Sequence, residues 1–163
     1  MTRKATKAAD SVFYKARIEA AAFNDSFNSR EGASEELGMD RTRLARIELG
    51  SLNPYPEEVL MMADTYNAPE LNNYYCSRMC PLGKETIQEA ELLHLDRLTI
   101  KILAALRDAG SVKDSLLKVA EDGRITKDEL EETEEILASL AEIAKRTTEL
   151  NIWLEKNARE VEE

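Results

Sequence analysis

Three arginines within six positions, Arg41, Arg43 and Arg46, occupy a short predicted helix that begins after Gly38-Met39-Asp40. With Leu44 and Ile47 turned inward at 100° per residue, Thr42 points almost directly outward. Ala45 and Arg46 flank it, and Arg41 and Arg43 lie on opposite margins. An arginine on such a face can make two hydrogen bonds to guanine O6 and N7, and Thr and Ala methyls can touch a thymine methyl. The bland alternative for three arginines on one helix is a solvated face. Two other clusters carry less chemistry. Cys76 and Cys80 stand four apart with His94 further on, but a structural zinc site needs four ligands and no second Cys/His pair exists. Residues 121–129, EDGRITKDE, resemble half of a calcium-binding loop. The first two ligand positions would be Lys118 and Ala120, which cannot bind calcium. No metal or cofactor is expected. One histidine, no Gly-rich phosphate loop and no nucleophile motif argue against an enzyme.

Positioning the arginine face needs helices, and helix signals dominate. Period-two alternation is almost absent, so the expected class is all-α. Ser11–Ala22 reads as a first helix. Ser29 caps a second that ends at Leu37 before Gly38, and Asp40 caps a third, Arg41–Leu49, stopped by Gly50. Pro56 opens a fourth, through about Tyr66, and Pro69 a short fifth. Further on, Ile87, Leu92, Leu95, Leu98, Ile102 and Leu106 mark a helix ending at Gly110. Ser111 with Asp114 opens another, through about Ala120, and Thr126 with Glu129 a long last one. Along that helix Ile136, Leu140, Ile143, Thr147, Leu150 and Leu154 alternate by four and three residues. The spacing fits either an intramolecular three-helix core or a dimer seam built from Ile136, Leu140, Ile143, Leu150 and Leu154.

The net charge of −10 over 163 residues first argues against nucleic acid. Division changes this. Residues 1–50 carry net +1, residues 51–110 net −4 and residues 111–163 net −7. All four prolines lie between 54 and 81, and only Trp153 among the aromatics lies beyond Tyr75. Two parts follow: residues 1–80, compact and turn-rich, and residues 84–163, acidic and proline-free. The acidic helices should sit away from a duplex. No run approaches a membrane span, residues 1–10 lack the apolar core of a secretory signal, and two cysteines are too few for a disulfide framework. A cytoplasmic protein is expected.

Over residues 11–78 the sequence resembles the Cro/CI-like (xenobiotic-response-element) helix-turn-helix family of bacteria and their phages. The matching residues are Ala33, the Leu37-Gly38-Met39-Asp40 turn, Leu44-Ala45-Arg46-Ile47-Glu48-Leu49-Gly50 and the Asn53-Pro54 exit. Departures are Gly32, where the family usually carries a larger apolar residue, a longer Phe23–Asn28 stretch, and Arg30 in place of a common Gln. The resemblance implies a five-helix, lambda-repressor-like domain; beyond it, the leucine spacing points to a three-helix, coiled-coil-like C-terminal dimerisation region. The resemblance implies base contacts from Arg41, Thr42, Ala45 and Arg46 and phosphate contacts from Ser29, Arg30, Arg43 and Asn53. It also implies a structural pair between Arg17 and Glu48. The expected function is a sequence-specific repressor of a mobile element or host operon, binding double-stranded DNA as a homodimer on a pseudo-palindromic operator. The alternative is an adaptor, such as a mobile-element counter-defence or anti-CRISPR protein. Its acidic C-terminal helices would bind a protein partner and its helix-turn-helix would be autoregulatory.

Overall fold

The first helix starts of this chain are made by single side chains that accept a backbone N–H. The computed structural model describes residues 8–107, 109–120, 125–127 and 129–161, with side chains to residue 158. Among the described residues the regular elements are helical and no strand occurs. The chain divides into two compact units, one up to Glu89 and one from Ala90.

In the first unit Ser11 caps α1 (Val12–Ala20), and Ser29 caps α2 (Arg30–Leu37) by accepting from Gly32 N at 3.0 Å. Gly38 ends α2 in the left-handed region at φ 61°, where a side chain would be strained, and Met39 N closes onto Ser34 O at 2.9 Å. Asp40 caps α3 (Arg41–Glu48) through Arg43 N at 2.8 Å. Pro56 opens α4 (Pro56–Thr65), and α5 (Glu70–Arg78) follows. A short α6 (Gly83–Thr86) follows, with no side-chain cap to announce it in the sequence. The core joins Phe13, Leu37, Leu44, Ile47, Met62 and Leu71, among others, and Ala33 is fully buried against α3.

The stretch Phe23–Asn28 is not a plain loop. Asn24 caps a single 3₁₀ turn, Asp25–Asn28, which carries Phe27 into the core, edge-on to Tyr66 with ring centroids 5.2 Å apart. The turn's backbone crosses α2 at Gly32, where a Cβ would stand 2.3 Å from Ser26 O. The longer connection and the missing side chain at residue 32 are therefore one adaptation: the extra residues need the space. Gly32→Ala should destabilise the unit by about 2–3 kcal/mol, although alanine is the better helix former. Urea denaturation checks this; a stabilised variant would refute it.

The second unit departs from the expected three-helix core. Residues 90–94, at the start of the unit, are not helical, and Glu91 N donates to Glu149 Oε1 at 3.0 Å. α7 begins later (Leu95–Arg107). Gly110 and Ser111 do not stop and restart a helix. Both lie inside α8 (Ala109–Val119), which Val112 and Val119 hold against Ile136. Thr126 N and its hydroxyl both donate to Glu129 Oε2, at 2.9 and 2.8 Å, and α9 (Leu130–Val161) starts after them. Residues 121–124 and 128 of the calcium-loop-like segment lie outside the described residues. Glu91 meets Glu149, while Lys118 meets Glu132 at 2.8 Å. The first arm thus runs antiparallel to α9, with α7 and α8 end to end along it. The unit is a helical hairpin of two layers, not a bundle of three. A helix of 32 residues is about 48 Å long.

Candidate nucleic-acid interface

Leu44 and Ile47 are buried under α3, which turns Arg41, Thr42 and Arg46 into solvent and leaves Ala45 half-buried. Among the described residues neither the Arg41 nor the Arg46 guanidinium has an ion pair. Asn53 is exposed on the turn that follows.

The single acid within α3 is withdrawn from this face. Glu48 is fully buried and accepts from Arg17 Nε at 2.6 Å and Nη2 at 3.2 Å, and from Arg30 Nε at 2.6 Å. Arg17 Nη1 donates to Phe27 O at 2.6 Å, which ties the 3₁₀ turn into the same network. One carboxylate therefore joins α1, α2 and α3. The Tyr66 hydroxyl lies buried nearby, without a hydrogen-bond partner among the described residues. Burial chiefly, with the Glu48 charge adding, pushes its pKa well above the usual tyrosine value.

Three residues expected at phosphates are engaged inside the molecule. Arg30 uses its Nε on Glu48, though 30% of its side chain stays exposed. Arg43 is held more completely: its Nε and Nη2 grip both Glu58 oxygens, and its Cζ lies 4.4 Å from the Tyr55 ring centroid. Ser29 spends its acceptor on the α2 cap. Arg43 is better placed as a brace between α3 and α4 than as a free cation, because Glu58 reaches it across 15 residues of chain.

Sequence reasoning missed Glu58. The signal was available: Tyr55-Pro56-Glu57-Glu58 has the spacing of a helix start with an acid at its third position. Glu58 Oε2 accepts from Tyr55 N at 2.7 Å, so the same carboxylate caps α4 and binds Arg43. The Arg43 hydrogen bond, helped by Tyr55 N and opposed by burial, holds the Glu58 carboxyl below the usual carboxylate range. A depressed folded pKa adds stability above the ordinary value near 4.3, and that stability is lost as pH falls through the folded value. Glu58→Gln should therefore cost about 1 kcal/mol at pH 7. The gap from wild type should close below about pH 4, which melting curves at several pH values would read. A gap that persists unchanged into acid would refute the carboxylate's role.

Cys76 is exposed and Cys80 half-buried, both as free thiols, and His94 is exposed. Among the described residues no three His, Cys, Asp or Glu side chains converge as a metal site. No helix of the described residues is long and apolar enough to cross a membrane. No family model matches the chain, and neither a curated protein nor a solved structure does.

Proposed function

We propose that the chain is a sequence-specific double-stranded-DNA-binding regulator, a repressor, that acts as a homodimer on a pseudo-palindromic operator. In this reading α2, the Gly38–Asp40 turn and α3 form a helix-turn-helix, with α3 entering the major groove. One observation carries the reading. Among the described residues the Arg41, Thr42 and Arg46 side chains face solvent with no hydrogen-bond or ion-pair partner, while the only acid of α3 is drawn into the interior by two arginines. A helix that is merely solvated has no need to hide its acid at that cost in desolvation. The resemblance in Leu37–Asp40, Leu44–Gly50 and Asn53-Pro54 points the same way. Arg30 and Asn53 remain exposed enough to meet phosphates, fixing register without reading bases.

Binding-site selection from random duplexes with the full-length protein tests this. The expected result is an inverted repeat with half-sites about 34 Å apart, one turn of duplex. Enrichment of no sequence would overturn the reading. The adaptor alternative, in which the acidic helices bind a basic protein partner, would then stand.

A further inference from the structure

The arginines on and beside α3 fall into two classes. Arg41 and Arg46 are exposed, and among the described residues neither has an ion pair. Arg30 and Arg43 are each tied to a carboxylate that is itself fixed. Glu48 is held by Arg17 as well as by Arg30. Glu58 is held by the backbone: Tyr55 N donates to its Oε2 at 2.7 Å, and its side chain is 15% exposed. Arg43 is the more fully covered of the two arginines. Its Nε and Nη2 meet the two oxygens of Glu58, and the Tyr55 ring lies over its guanidinium. A two-pronged contact of this kind is among the strongest that arginine makes with a carboxylate. Glu58 stays ionised at neutral pH, so the pair carries no net charge at the margin of α3.

We propose that Glu58 is a positioning residue that withholds Arg43 from the DNA backbone, and so lowers the affinity of α3 for duplex of any sequence. The proposal rests on the DNA reading above. Each phosphate contact adds affinity everywhere on a duplex and carries no sequence information. A regulator competes against a vast excess of non-specific sites, so a cation that binds them all holds it away from its operator. A carboxylate free to swing aside would release Arg43 when DNA approached. Glu58 cannot do so without uncapping α4. A phosphate drawn to Arg43 would stand beside that fixed negative charge, and like charges so placed are unfavourable. Arg41 and Arg46, the residues assigned to bases, carry no such restraint. The cations that read sequence are free, and the cation that reads only charge is bound.

Titration of the full-length protein against a random-sequence duplex of about 25 base pairs, from about 50 to about 200 mM salt, tests this. Glu58→Gln keeps an oxygen that can accept from Tyr55 N. It should bind this duplex at least about 5-fold more tightly than wild type at the lowest salt, with a plot of log affinity against log salt steeper by about 0.9 per copy. Loss of a merely structural brace would not steepen that slope. Adding Arg43→Ala to Glu58→Gln should abolish both gains. Glu57→Gln removes the same charge from an exposed neighbour without releasing an arginine, and it should change the slope by less than half as much. Glu58→Gln equal to wild type overturns the proposal, as does a gain that Glu57→Gln matches or that survives Arg43→Ala. If Glu58→Gln no longer melts cooperatively, Glu58→Ser decides by the same criterion. A wild type that enriches an operator while Glu58→Gln changes nothing overturns this proposal alone. No duplex binding by wild type or by the Glu58 variants overturns the DNA reading and this proposal with it.

Discussion

Arg17→Met should lower the unfolding free energy of the N-terminal unit by about 3–5 kcal/mol, a large share of the ~5–15 kcal/mol that holds a domain together. Glu48 is fully buried, and Arg17 provides two of its three charge-assisted bonds. Methionine fills much of the volume but leaves the carboxylate with Arg30 alone and Phe27 O without its donor. The cost is that of an under-compensated buried charge, not of a surface pair worth about 0–1 kcal/mol. The double variant Arg17→Met, Glu48→Leu should recover most of the loss, because both buried charges are then gone and Arg30 can turn to solvent from its 30% exposed position. Urea denaturation of the three proteins reads this directly. A single variant within 1 kcal/mol of wild type would show that the network contributes little.

Arg41→Ala with Arg46→Ala should weaken operator binding at least about 100-fold at fixed salt, each side chain being worth about 1–3 kcal/mol at a guanine. The melting temperature should not move, since neither guanidinium has an ion pair among the described residues and surface changes of this kind stay within about 0.5 kcal/mol. Arg43→Ala should do the reverse. It removes the brace to Glu58 and Tyr55 and costs stability, while sequence discrimination is largely kept. A mobility-shift titration beside a melting curve separates the two classes. Operator binding by the Arg41/Arg46 variant equal to wild type would sink the assignment of the α3 face.

Local chemistry made much of the first unit legible. Ser11, Ser29 and Asp40 as caps, Gly38 as a left-handed stop and Pro56 as a first residue each act within about four residues of chain. The outward direction of Thr42 and Arg46 likewise follows from helical pitch once Leu44 and Ile47 are inside. The same signals failed in the second unit where a long-range contact overrode them. Gly110 looks like a stop and Ser111 like a cap, yet burial of Val112 and Val119 against Ile136 carries the helix through both. Leu92 keeps helical spacing with Leu95, yet residues 90–94 are not helical, and Glu91 N there donates to Glu149 Oε1 across 58 residues of chain.

All-helical class, the helix ends of the first unit and the uneven distribution of charge are therefore properties of neighbouring residues, and the chain's order of side chains sets them. Which arginine is free and which is bound is a different kind of property. Arg17 and Glu48 are 31 residues apart, Arg30 and Glu48 are 18 apart, and Arg43 and Glu58 are 15 apart. Spacing along the chain carries no information about pairing at such separations, because partner choice depends on how α1, α2 and α4 converge on α3. Likewise a four-and-three leucine stripe fits an internal core and an external contact equally well. Only the hairpin's two-layer packing, which occupies Ile136 and leaves Leu140, Leu150 and Leu154 uncovered, tells the flanks apart.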